Sequence, residues 1–234
     1  MTTEAESKDW KASTRNRWQA AFSLVYRVDI DNEKIDKNPA AGIRRKTENN
    51  ARVRFLSKDE ENRLREAILH LFPAFIRQLD LSLHTGMRAG EQFGIKWEQV
   101  ALDRKIITLP KTKNGTARHI PLNAIALSAL RVLKTDAKGH VFPGARIEGE
   151  GLQGSRGWFN TALKEAKILG YTWHCNRHTF ASRLVMAGVD IRTVGELLGH
   201  KSLSMTMPYA HLAPAHTAAA VDRLVSNPET ELAP

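Results

Sequence analysis

The 234-residue chain has one cysteine, Cys175, so an internal disulfide is excluded. A lone thiol suits a reducing cytoplasm. No apolar run approaches the roughly 20 residues that span a bilayer, so no membrane partner is expected. Met1 to Trp10 is polar and acidic, unlike a secretory signal. There is no internal repeat, no low-complexity tract and no phosphate-binding P-loop motif. Acid is in deficit: 25 Asp and Glu face 35 Lys and Arg, for a formal charge of +10 and a pI near 9.9. That balance favours a polyanionic partner, because Lys and Arg that neutralise phosphates release condensed counterions. A merely basic soluble protein fits the charge as well. At 42% hydrophobic the chain can bury a core, which excludes global disorder.

Periodicity divides the chain. Trp18, Ala21, Phe22, Val25 and Tyr26 recur at helical spacing from Thr14 to about Val28. One helix cannot close a core, so residues 1–45 read as a helical segment that belongs to a larger unit. Asn38-Pro39 is a turn signal. Residues 46–56 read as a basic linker. Arg44, Arg45, Lys46, Arg52 and Arg54 around it suit the tracking of a phosphate backbone, or a solvated connection. The main domain is expected over 57–226, with a disordered tail over 227–234. Ser57 and Glu60 form a capping-box pattern. Pro73 opens a second apolar helix that Gly86 ends. A short helix then carries Arg88, Glu91 and Phe93. The period changes at Lys105–Leu109 and Ala117–Pro121, two strand-like runs around Asn114-Gly115, which signals a hairpin. Helices are expected at about 123–134, 155–168, 174–187, 190–198, 202–207 and 214–226. The fold class is mixed α+β, mainly α-helical, with a small antiparallel sheet.

The chemistry concentrates late in the chain, in Trp173-His-Cys-Asn-Arg-His178, Leu197-Leu-Gly-His200 and Met207-Pro-Tyr-Ala-His211. On a helix, His174, Arg177 and His178 occupy neighbouring positions. Crowded cations repel, and an anion between them relieves the repulsion. The arginine fork suits phosphate, since it donates two hydrogen bonds and stays charged. His174 and His178 at i and i+4 also match a metal pair. A catalytic zinc needs a third ligand, and Arg177 beside a dication is unfavourable, so no metal is expected. Metal-free cleavage of a phosphodiester needs fixed positive groups, an in-line nucleophile, a base and an acid for the leaving oxygen. Arg88 and Arg177 can supply the charge, His174 the base, Lys113 the acid and Tyr209 the nucleophile. His200 can donate a further hydrogen bond. Glu91, one turn after Arg88, can orient its guanidinium, and His178 stands beside the set in support.

These stretches, with Thr85-Gly-Met-Arg88-Ala-Gly-Glu91 and Lys111-Thr-Lys113-Asn114, resemble the tyrosine recombinase family of phage-type integrases from about residue 55 to 212. All six positions of that family's catalytic set have a matching residue, in order. The resemblance implies a mainly helical catalytic domain, with residues 14–45 as the tail of a helical core-binding domain. It implies a site-specific recombinase that cleaves and rejoins DNA through a 3′-phosphotyrosyl intermediate. Arg88 and Arg177 would clamp the scissile phosphate, and Lys113 rather than Lys111 would be the acid. Lys111 and Lys201 are expected to contact DNA. The partner would be double-stranded DNA, engaged by four protomers, and the protein, bacterial or phage-encoded, would be cytoplasmic and nucleoid-associated. No cofactor is implied. A catalytically impaired DNA-binding fragment is the alternative. Cys175 and Asn176 depart from the family's usual pair between His and Arg. Pro208 stands where relatives often carry arginine. Proline lacks a backbone donor and disfavours α geometry at Met207, so a broken helix is expected before Tyr209.

Overall fold

The computed structural model describes residues 10–48, 53–110, 117–134, 138–144 and 154–213. The chain divides into two units, residues 1–52 and 53–234.

In the first unit, helix α1 spans Ala12–Asp31 and buries none of its residues. Trp10 stacks on Trp18, which packs against Phe22. Side chains of α1 fasten the returning segment. Asn16 brackets Lys46 through both its N–H and its carbonyl. Gln19 donates to Ile43 O, and Asn38 donates to Ser23. Arg44, Arg45 and Lys46 lie exposed on that segment.

The second unit begins with α2, Lys58–Leu71. Ser57 caps it: its hydroxyl accepts from Glu60 N, and Glu60 accepts from Ser57 N, so two orphan amides are satisfied. A 3₁₀ turn, Pro73–Phe75, leads into α3, Ile76–Thr85. Gly86 ends α3 at φ +60°, and a Cβ there would sit 2.4 Å from Phe180. Both the left-handed backbone and the close approach require glycine. The short α4, Ala89–Phe93, follows with Arg88 as its N-cap.

Strands β1 (Val100–Ala101), β2 (Ile106–Leu109) and β3 (Arg118–Pro121) form one antiparallel sheet in chain order. Ile107 pairs with Ile120, and both are buried on its inner face. The expected hairpin is therefore present, with the two-residue β1 added; too short to carry a period, β1 left no sequence signal. The connection with Lys111, Lys113 and Asn114-Gly115 lies outside the described residues, as do Arg52, the expected helix at 214–226 and the tail at 227–234.

Helices α5 (Ala124–Leu133), α6 (Arg156–Glu165), α7 (Trp173–Met186) and α8 (Ile191–Leu198) complete the unit. Two 3₁₀ segments, Leu203–Met205 and Met207–Leu212, then deliver the end of the described chain. The larger core gathers Leu64, Leu79, Ile95, Ile107, Leu130 and Phe159. A smaller core gathers Ala181, Val185, Val194, Leu198 and Tyr209. Helix α7 serves both, with Trp173 in the first and Ala181 and Val185 in the second. That dual burial explains why its polar Asn176, Arg177, Thr179 and Ser182 are inaccessible.

Candidate active site

The turn after α3 supplies the first arginine. Arg88 N donates to Glu91 Oε2 at 2.8 Å, and Arg88 Nη1 pairs with Oε1 at 2.8 Å. One carboxylate thus caps α4 and aims a guanidinium that stays open to solvent at 44% exposure. The sequence suggested that Glu91 can orient Arg88, and this is the contact between them.

Arg177 is the buried arginine, only 3% exposed. Its Nη1 donates to Gly86 O at 2.8 Å and its Nη2 to Leu198 O at 2.6 Å. It therefore ties the end of α3 to the end of α8. The α8 carbonyl end is a natural seat for a cation, because it leaves acceptors without intrahelical partners. Burial first, then the charges of Arg88 and Arg118, push Arg177 down to about 10. Glu91, paired to Arg88 and Arg118, and Leu198 O, which accepts from Arg118 and Arg177, bring the three guanidiniums into one neighbourhood.

Gly199 ends α8 at φ +64° and turns the chain so that His200 follows. His200 Nδ1 meets Thr206 Oγ1 at 2.8 Å, and Thr206 is fully buried. A fixed partner at one ring nitrogen leaves the other for a ligand. Burial, then Arg177, Arg88 and Arg118, lower His200 to about 4. His174 is exposed on the first turn of α7. The packing beneath it, then Arg177 and Arg88, disfavour its charged form.

Tyr209 sits on the Met207–Leu212 3₁₀ helix, 3% exposed, as a member of the smaller core. Its hydroxyl lies 2.6 Å from His178 Nδ1. His178 is lowered to about 4, by burial first and then by His174 and Arg177; which of the two groups donates follows from the tautomer of the ring. Burial raises Tyr209, while Arg177 pulls the other way. The imidazole touching the phenol is thus His178; His174, expected as the base, packs edge-on against it with ring centroids 4.9 Å apart. Pro208 does not break the delivery of Tyr209. It stands in the first turn of a 3₁₀ helix, where its missing N–H is not needed, and Tyr209 N still donates to Thr206 O at 3.0 Å.

Arg88, His174, Arg177, His178, His200 and Tyr209 are therefore drawn together by the ends of α3, α7 and α8 and the last 3₁₀ helix. Arg54 is held elsewhere, bidentate on Glu60 at 2.9 and 2.5 Å and 5.3 Å above the Tyr171 ring. Lys201 is exposed beside His200. Among the described residues, no three His, Cys, Asp or Glu side chains converge as metal ligands. Two residues of the site escaped the sequence reading. Thr206 sets His200, and Arg118 reaches the α8 terminus from β3, its Nη1 2.8 Å from Leu198 O. Neither carries a local signal, because each acts only through a partner distant in space or around a turn.

The sequence matches the Phage integrase family over residues 52–216. It is 31% identical over 180 residues to the shufflon-specific DNA recombinase of Escherichia coli, covering 75% of this chain and 44% of that one. The catalytic domain of bacteriophage HP1 integrase superposes with a TM-score of 0.62 at 30% identity, covering 76% of this chain and all of that one. The Tn1549 transposon integrase, solved with a circular intermediate DNA, gives a TM-score of 0.77 at 20% identity over 95% of this chain and 82% of that one, a likeness of fold. The chain spans about half the length of the first curated relatives it matches. With that family's profile matched over most of the sequence, and its fold reproduced, this chain belongs to the phage integrase family of tyrosine recombinases.

Proposed function

We propose that this chain cleaves and rejoins double-stranded DNA at specific sites, through a covalent bond between Tyr209 and a 3′-phosphate. One observation carries the reading: the Tyr209 hydroxyl lies 2.6 Å from His178 Nδ1, next in the chain to Arg177, whose anchors Gly86 O and Leu198 O each lie two residues before Arg88 and His200. A scissile phosphate there would sit among donors that strengthen as charge builds on its nonbridging oxygens. Tyr209 Oη attacks phosphorus, and its proton passes to His178 Nδ1. The Oη–P bond forms as the P–O5′ bond breaks. The 5′ oxygen leaves with a proton that Lys113 supplies. His174 and His200 donate to the phosphate.

A free phenol loses its proton near pH 10, so the nucleophile needs help. In the resting chain burial raises Tyr209 further. The proton therefore stays in place until substrate arrives. A phosphodiester between the arginines offsets their charge and raises the basicity of the neighbouring imidazoles. The phosphotyrosyl ester conserves the energy of the broken bond, so a 5′-hydroxyl from another strand reverses the reaction without a nucleotide cofactor. Strand exchange requires two duplexes, and the reading takes four protomers as the working assembly. Arg44, Arg45, Lys46 and Lys201, all exposed, are assigned to the DNA backbone, together with Lys111 and Arg52. Such a substrate places the protein with DNA in the cytoplasm.

The test is a suicide duplex, nicked near the cleavage point so that the 5′-hydroxyl fragment diffuses away. The duplex is selected by binding from a random pool. Wild type is expected to form a denaturant-resistant protein–DNA adduct, and Tyr209→Phe none. Tight binding without an adduct would instead identify a DNA-binding fragment that has lost its chemistry.

A further inference from the structure

Arg118 opens β3, yet its side chain serves the far end of α8. Its Nη1 donates to Leu198 O at 2.8 Å, the same oxygen that accepts from Arg177 Nη2 at 2.6 Å. It also lies 3.4 Å from Glu91, the carboxylate that aims Arg88. One side chain thus bridges the anchors of both arginines, and Leu198 is two residues from His200.

Two details set this residue apart from an ordinary buried ion pair. Its Nε and Nη2 are buried and, among the described residues, have no hydrogen-bond partner. Open donors on a buried cation are costly, and their persistence calls for an explanation. Second, the cluster is over-charged. Among the described residues, the ion pairs of Arg88 and Arg118 both go to Glu91 and Arg177 has none, leaving the three guanidiniums a surplus of two positive charges. A phosphodiester carries one negative charge and gains a second as the nucleophile adds. The surplus matches that doubly charged state, and without Arg118 it falls to one.

We infer that Arg118 is a positioning residue for the reaction proposed above, on which this inference rests. It locks Leu198 O and Glu91 so that Arg88, Arg177 and His200 hold one arrangement, and it supplies the second surplus charge. The backbone at Gly199 is built around it. A Cβ there would stand 2.6 Å from Arg118 Cδ and 2.8 Å from Nη1. Gly199→Ala therefore displaces Arg118 without touching its charge.

The experiment measures single-turnover adduct formation by the full chain on the selected suicide duplex. A matched duplex carries a methylphosphonate at the mapped scissile position, where a neutral methyl replaces one charged oxygen. Arg118→Gln is expected to slow adduct formation about 100-fold on phosphate, the scale of losing one transition-state donor, with duplex affinity within about threefold. Arg118→Lys recovers part of that loss. On methylphosphonate the Arg118→Gln deficit relative to wild type shrinks to below about tenfold, because less charge needs to be met. Gly199→Ala shows a deficit on phosphate that Arg118→Gln does not deepen in the double variant. A purely structural role would slow both duplexes equally, and that result overturns the inference. So does Arg118→Gln cleaving phosphate within about threefold of wild type. If wild type forms no Tyr209 adduct at all, the functional reading falls and takes this inference with it. A wild-type adduct with an indifferent Arg118→Gln removes only the inference.

Discussion

At the scale of single residues, the site separates holding from reacting. His178 contacts the phenol directly and is neutral at ordinary pH. Its replacement by phenylalanine keeps the volume but removes the acceptor. His178→Phe is expected to slow adduct formation by about 10²- to 10³-fold, the usual scale of a lost general base, with DNA affinity kept. His174→Phe tests the competing assignment. If His174→Phe costs more than His178→Phe on the same duplex, the first proton acceptor is His174. Lys113 is tested through the leaving group. Lys113→Ala should slow cleavage of ordinary DNA by at least about tenfold more than that of a duplex with a 5′-bridging sulfur, which leaves without a proton. Equal losses on the two duplexes would remove Lys113 from the acid role.

At the scale of elements, helix termini do the positioning. The ends of α3 and α8 both turn through a left-handed glycine, and each releases a carbonyl that accepts from Arg177. Gly86→Ala forces a Cβ into Phe180 and strains the φ of +60°. It should cost about 2–4 kcal/mol of stability and lower activity together with folding. A variant as stable as wild type would show that α3 can end without this turn. The last 3₁₀ helix carries Tyr209, the proposed nucleophile, and Pro208 in its first turn is exposed. Pro208→Arg adds a charge beside the phosphate neighbourhood while freeing a backbone N–H that the turn does not use. Adduct formation is expected to rise by about threefold or more, through stronger local attraction of the DNA backbone. Equal or lower adduct yield from a folded Pro208→Arg chain would count against that role.

At the scale of the whole molecule, two half-buried histidines make stability depend on pH. His178 and His200 are lowered to about 4, both by burial first and then by neighbouring cations. In the unfolded chain their pKa returns to about 6.5. Between those values the unfolded state takes up protons that the folded state refuses. Stability is therefore complete above about pH 6.5 and falls as pH drops toward 4. Both rings keep some solvent contact, so the combined loss is discounted to about 2 kcal/mol, or roughly 5 °C in melting temperature. Glu60 and Glu61, held low by Arg54 and by Arg65 with Arg183, add their own loss only at lower pH. A melting temperature that stays flat from pH 7 to pH 5 would contradict this burial of the histidines. The amino-acid sequence alone singled out most of the candidate residues, because arginine, histidine and tyrosine in those motifs have few other uses together. It also determined the helix starts and stops, since Ser57, Gly86 and Gly199 act within one turn of the backbone. The tertiary structure alone decided that Arg118 joins the arginine cluster, that Thr206 sets His200 and that His178 meets Tyr209. Those pairings join residues separated by up to 80 positions, and no local periodicity records which chain ends will be packed together.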